Sequence, residues 1–155
     1  MSTTSWKTEV DEVIKRRRKS KEALLPCLEA IQEVSSYIPQ EAVSYLRENL
    51  DVPSIDIYGV ITFYGMLTTK EQGKYAIRLC NSLPCDLNSS KEMLKVIEEE
   101  LDIKAGEISS DKKFTLEVVP CLGLCDKAPA MMINDKIYEN LTEETAKKII
   151  AELKG

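Results

Sequence analysis

The sequence predicts an α+β protein in two parts, a helical bundle over residues 1–70 followed by an α/β domain over 71–155. Three observations predict it. Before residue 70, apolar residues recur at helical spacing and the prolines fall where helices can open. After it, short β-rich runs alternate with amphipathic segments. Four of the five cysteines form two short pairs, Cys80 with Cys85 and Cys121 with Cys125, each at the end of a predicted strand.

A first helix is expected over 6–17. The second holds Leu24, Leu28, Ile31 and Val34 on one face, with Pro26 tolerated only in its first turn. Pro39 opens a third at its first position, with Val43, Leu46 and Leu50 aligned. Pro53 and Ser54 start a fourth that runs through Ile57, Val60, Ile61 and Tyr64. Short connections predict antiparallel neighbours in a small bundle. Near its end, Ile61, Phe63, Tyr64, Met66 and Leu67 form an apolar group. Burial within the bundle or at the domain junction is expected for Ile61 and Phe63.

The character changes across 68–73. Tyr75–Cys80 reads as a strand. Ser89 with Glu92 makes a capping box for a helix that turns Met93, Leu94, Ile97 and Leu101 inward. A polar turn with Gly106 and Asp111 leads to a second strand, Phe114–Val119. The runs 130–133 and 136–138 flank Asn134-Asp135, a hairpin signal. Thr142 caps the last helix, with Glu143 and Glu144 in its first turn. The order is β-α-β-β-β-α. Its opening βαβ unit demands parallel strands, which end at the same sheet edge. Cys80 closes the first strand and Cys121 follows the second, so topology alone should bring both pairs to one rim.

Composition bounds the chemistry. The chain has 155 residues, 43% hydrophobic, a formal charge of −5 and a pI near 5.0. Duplex nucleic-acid binders show a basic footprint, and none is visible. The run Lys15-Arg16-Arg17-Arg18-Lys19 is flanked by acids and reads as a solvated helix face or a partner contact. Met1-Ser2-Thr3-Thr4-Ser5-Trp6 carries no apolar signal region, and no apolar stretch approaches the roughly 20 residues of a membrane span. A cytoplasmic location without membrane insertion is expected, where thiols stay reduced. The absence of histidine removes imidazole catalysis and Rieske-type ligation.

The spacings C-x4-C and C-x3-C from two loops suit the four thiolates of one 2Fe–2S cluster, with Cys80, Cys85, Cys121 and Cys125 as ligands. Gly123 lets its loop turn tightly, and Leu79, Leu83, Leu122 and Leu124 are expected to limit water access. A structural zinc module is the alternative, since zinc also takes four thiolates, although usually from C-x2-C arms. A dithiol redox site normally shows C-x-x-C, which is absent. Cys27, between Leu24 and Leu28, reads as a buried small hydrophobe. No Gly-rich dinucleotide fingerprint is present among the six glycines.

Thr62-Phe63-Tyr64, the run from Gly73 to Cys80, Cys121-Leu122-Gly123-Leu124-Cys125, Ala128-Pro129 and the run from Met131 to Tyr138 resemble the thioredoxin-like 2Fe–2S ferredoxin subunits of NADH-linked oxidoreductases. The resemblance extends over 24–154. It implies a thioredoxin-like second domain and one 2Fe–2S cluster. FMN and NAD(H) are implied on a partner flavoprotein, not on this chain, and the helical half would dock that partner. Further iron–sulfur subunits complete such complexes, and the chain would have no independent catalysis. The run from Met131 to Tyr138 is most similar to small subunits of soluble NAD(P)-linked hydrogenases, electron-bifurcating ones among them. Respiratory complex I and NAD-dependent formate dehydrogenase are the other parents the resemblance allows, and a free-standing shuttle ferredoxin is a further class. Asp126 stands where the family often has glycine, and Asp86 begins a turn that often contains one. Both place carboxylates near the cysteines and are expected to lower the cluster's potential, with Lys127 offsetting part of the effect.

Overall fold

The computed structural model describes residues 4–17 and 20–155. Residues 1–3 of the N-terminal run, and Arg18 and Lys19 of the basic run, lie outside them. Two compact units divide at residues 71 and 72. No described helix is long and apolar enough to cross a membrane.

The first unit consists of α1 (Thr4–Arg17), α2 (Leu24–Ser35), α3 (Gln40–Leu50) and α4 (Ser54–Phe63), with a 3-10 turn at Lys21–Ala23 leading into α2. Its core gathers Trp6, Val10, Leu28, Ile31, Leu46 and Ile57. Pro26 lies in the first turn of α2, where its missing N–H breaks no helical bond. Pro39 and Pro53 precede α3 and α4 as N-cap residues rather than opening them as first helical residues. Gln32 ties the chain after α4 back to α2: its Nε2 donates to Met66 O at 2.5 Å and its Oε1 accepts from Thr68 N at 2.8 Å.

Ile61 is buried, as expected, but Phe63 is 81% exposed. Two residues on a helix of 3.6 residues per turn point nearly opposite ways, so the helix that buries Ile61 turns Phe63 out. Ile55, Tyr64 and Met66 are exposed too. Cys27 is fully buried, as its apolar setting predicts.

The second unit carries β1 (Tyr75–Cys80), α5 (Leu83–Leu87), α6 (Ser90–Leu101), β2 (Phe114–Val119), β3 (Met131–Ile133), β4 (Lys136–Tyr138) and α7 (Glu143–Lys154). The sheet order is β2-β1-β3-β4. β1 and β2 are parallel from Tyr75↔Phe114 to Cys80↔Val119, while β3 runs antiparallel to β1 and forms a hairpin with β4. Asn134 turns that hairpin at φ 52, and its Oδ1 accepts from Ala76 N at 2.9 Å, which pins the turn to β1. Ile77, Leu79, Leu116 and Met131 from the sheet meet Met93, Ile97 and Ile150 from α6 and α7. The edge of β1 is set by a close approach. A Cβ on Gly73 would fall 2.7–2.9 Å from backbone atoms of Lys113 and Phe114, and only glycine fits there.

The expected start of the crossover helix is corrected. Ser89 makes no capping box; it sits at φ 70 with no side-chain cap bond, and the helix begins at Ser90. Ser90 Oγ instead donates to Cys80 O at 2.5 Å, tying α6 to the end of β1. The short helix α5 was not expected; Pro84 within its first turn is compatible with it. Thr142 does cap α7, in a reciprocal box with Thr145. Arg78, 7% exposed, pairs with Glu117 on the neighbouring strand (Nε–Oε2 3.3 Å).

Asp11 organises the polar contacts of the helical core. Tyr45 donates its hydroxyl to Asp11 Oδ1 at 2.6 Å. That hydrogen bond first, then burial and the Asp11 charge, push the Tyr45 phenol up to about 12. Burial first, and Asp11 second, push the Cys27 thiol up to about 11. A folded-state pKa above the unfolded one means stability that is complete below the unfolded value and lost as pH rises through the folded one. The helical unit should therefore weaken from about pH 9 for Cys27 and about pH 10 for Tyr45, the ordinary values of the two groups. In denaturant melts between pH 9 and 12, Tyr45→Phe should be less stable than the parent at pH 8 and lose less stability on going to pH 12.

Candidate metal centre

The parallel register decides where the cysteines fall. Cys80 is the last residue of β1, opposite Val119, the last of β2. Asn81 N still donates to Val119 O at 3.0 Å, so the two chains leave the sheet together. Cys121 follows two residues later. Cys85 stands on α5 and Cys125 opens a 3-10 turn, Cys125–Lys127. The Ala128–Pro129 peptide beyond it is cis.

The four sulfurs come together as two interacting pairs. In the electrostatics of the site Cys85 acts on Cys80, and Cys121 and Cys85 act on Cys125. Cys80 and Cys85 are buried, whereas Cys121 and Cys125 are exposed. Among the described residues no three His, Cys, Asp or Glu side chains converge as the ligands of a single ion.

Burial and hydrogen bonding oppose each other at these thiols. Burial is the largest influence on Cys80 and raises it. Hydrogen bonding with the Ser82 hydroxyl and N–H, with Cys85 and with the Leu122 N–H together overcomes burial and holds Cys80 below the ordinary thiol value. Cys125 is raised despite its exposure, because Cys121 both hydrogen-bonds it and repels its charged form. Gly123 N donates to Cys121 Sγ at 3.2 Å. Donors thus reach sulfurs of both loops.

The expected apolar screen is only partly present. Leu122 and Leu124 are half-buried, but Leu83 is 71% exposed. Leu79 is buried on the core face with Ile77, because alternate residues of a strand point to opposite faces. Asp86 is paired with Lys91 (2.8 Å), and Lys127 with Glu139 (3.0 Å), so neither charge acts freely on the sulfurs. Asp126 is exposed. Ser82 and Ser90, both within reach of Cys80, were not singled out by the sequence; a serine two residues after the first cysteine was the available signal.

The sequence model of the family described as thioredoxin-like [2Fe-2S] ferredoxin matches residues 10–154. The chain belongs to this family. A subunit of the NADH-quinone oxidoreductase of Rickettsia felis is 42% identical over 131 residues, 84% of this chain and 78% of that protein. Its counterpart in the NADH-quinone oxidoreductase of Aquifex aeolicus is 38% identical over 145 residues, 94% and 91% respectively. Among solved structures, an NAD+-reducing [NiFe]-hydrogenase in its air-oxidized state superposes with a TM-score of 0.74 at 19% identity. That match covers 89% of this chain but 24% of the other, so it shares the fold over about a quarter of the larger chain.

The cofactor of this family is one 2Fe–2S cluster, and the residues present fit it. Four cysteines from two loops lie at one rim, the Ser82 hydroxyl lies against Cys80 and the Gly123 N–H against Cys121, and hydrogen bonding holds the Cys80 thiol low. Gly123 is the backbone hinge of that arrangement, at φ +78. An L-residue there costs about 1–2 kcal/mol. Gly123→Ala should lower the iron and sulfide bound per chain after anaerobic reconstitution, with the circular dichroism of the helices unchanged.

Proposed function

We propose that Cys80, Cys85, Cys121 and Cys125 hold the 2Fe–2S cluster, and that this chain exchanges single electrons with the FMN of a partner NAD(H)-binding flavoprotein. The observation that carries the reading is the convergence of the two cysteine loops at the carboxyl edge of β1 and β2. When bound, the cluster supplies a one-electron site beside a cofactor that handles two. The chain's own residues fix and tune that site. Cys80 and Cys85 anchor it inside the protein, Cys121 and Cys125 present it to solvent or to a partner, and the Leu122 and Gly123 N–H groups donate to sulfur.

The helical unit is the docking element in this reading. Ile55, Phe63, Tyr64 and Met66 are large, apolar and exposed, and exposed apolar groups of this kind mark interaction surfaces. The flavoprotein is the occupant, since the relatives at 38–42% identity are subunits of an NADH-oxidising complex. Two parents are supported. The segment from Met131 to Tyr138 favours a soluble NAD(P)-linked hydrogenase, of the kind that includes electron-bifurcating enzymes. The relatives from Rickettsia felis and Aquifex aeolicus favour an NADH:quinone oxidoreductase. The intact complex, purified through this chain, separates them by hydrogen-dependent NAD(P)+ reduction against NADH-dependent quinone reduction.

Protein handled without air should be coloured and give an EPR signal on reduction. Alanine at any one of the four cysteines should abolish or damage that signal, while Cys27→Ala should leave it intact. A normal spectrum in any of the four variants would require a different ligand set. A colourless, EPR-silent zinc protein would end the electron-transfer reading.

Hydrogen exchange with and without the flavoprotein should show added protection in α4 and the residues just after it. Phe63→Ala should weaken the complex at least about tenfold in a binding titration, the scale of a buried aromatic anchor.

A further inference from the structure

Ser82 occupies the N-cap position of α5. A serine at an N-cap ordinarily turns its hydroxyl onto the backbone N–H groups of the first helical turn. This one does not; it makes no cap hydrogen bond. Its Oγ lies 3.3 Å from Cys80 Sγ instead, with the thiol donating to the hydroxyl. The side chain thus touches a sulfur of the first cysteine pair, and it is half-buried there.

The direction of this bond depends on the state of the sulfur. A thiol can donate to the hydroxyl. A thiolate has no proton, so the bond must reverse and the hydroxyl must donate. A hydroxyl offers one hydrogen, so it serves one sulfur at a time. Hydrogen bonds to charged acceptors strengthen as the acceptor becomes more negative.

We propose that Ser82 is a positioning and tuning residue of the cluster site, whose hydroxyl donates to the Cys80 sulfur and raises the reduction potential. This rests on the cluster assignment above. Reduction adds one electron, and hence one negative charge, to the cluster and its thiolates, with no bond made or broken. The donor then stabilises the reduced form more than the oxidised one. Removing it must shift the potential downward. The Ser82 and Leu122 N–H groups remain in a side-chain variant, so the change isolates the hydroxyl.

The test is an anaerobic redox titration, followed by EPR, of the full chain and of Ser82→Ala and Ser82→Thr. The expected result is a more negative potential for Ser82→Ala and a parent-like potential for Ser82→Thr, which restores the hydroxyl. Loss of the cluster from Ser82→Ala but not from Ser82→Thr would also support the role, since only the hydroxyl distinguishes them. Equal potentials in Ser82→Ala and the parent would overturn it. So would equal shifts, or equal cluster loss, in both variants. A parent protein that binds no iron or sulfide would be a different result: it would overturn the ligand assignment and this inference with it.

Discussion

The site depends on the parallel pairing of β1 with β2. Their register ends with Cys80 opposite Val119, and one further hydrogen bond from Asn81 to Val119 carries both chains off the sheet side by side. A parallel ladder needs a crossover, and α5 and α6 provide it. The crossover also carries Cys85, the second cysteine of the first pair, within α5. Ser90, at the start of α6, closes the unit by donating to Cys80 O. Strand, first loop and crossover helix are thus joined at one residue. Antiparallel pairing of β1 and β2 would have put the two cysteine loops at opposite ends of the sheet.

Much of this was legible in the sequence, for identifiable reasons. β1 and β2 are short runs rich in apolar and β-branched or aromatic residues, bounded by turn residues, and they appear where expected. The βαβ order then implied the common rim without any contact being known. What was not legible concerned local competition for backbone groups. Ser89 and Glu92 have capping-box spacing, yet Ser89 adopts a left-handed conformation and the box does not form. The bond that fixes the start of α6 runs from Ser90 to a residue ten positions earlier, and sequence spacing carries no sign of it. The five residues of α5 lie below the length at which helical periodicity can be seen. Its two exposed leucines, Leu83 and Leu87, are four apart on one face.

The helical unit shows the same limit in another form. α4 is apolar almost all round, a composition that normally marks a helix covered on every side. Sequence reasoning therefore put Phe63 inside. The fold buries Ile57 and Ile61 but turns Ile55 and Phe63 out. Periodicity identifies a buried stripe only when the opposite face is polar. When both faces are apolar, the phase of burial is set by packing partners that a single sequence does not name.

The cysteine environments are compatible with a cationic centre at the rim. Four thiols that must ionise together repel one another, and Cys125 registers that repulsion from both Cys121 and Cys85 although it is exposed. Cys80 meets the opposite problem, since burial disfavours its charge. Donors relieve the second difficulty but not the first. Hydroxyl and N–H groups stabilise single thiolates; they do not cancel the repulsion between them. Only positive charge set among the sulfurs removes both at once, and metal binding to thiolates accordingly displaces their protons. The fold thus brings together groups that are poorly matched to each other without a metal, and holds them through β-sheet register rather than through their own attraction.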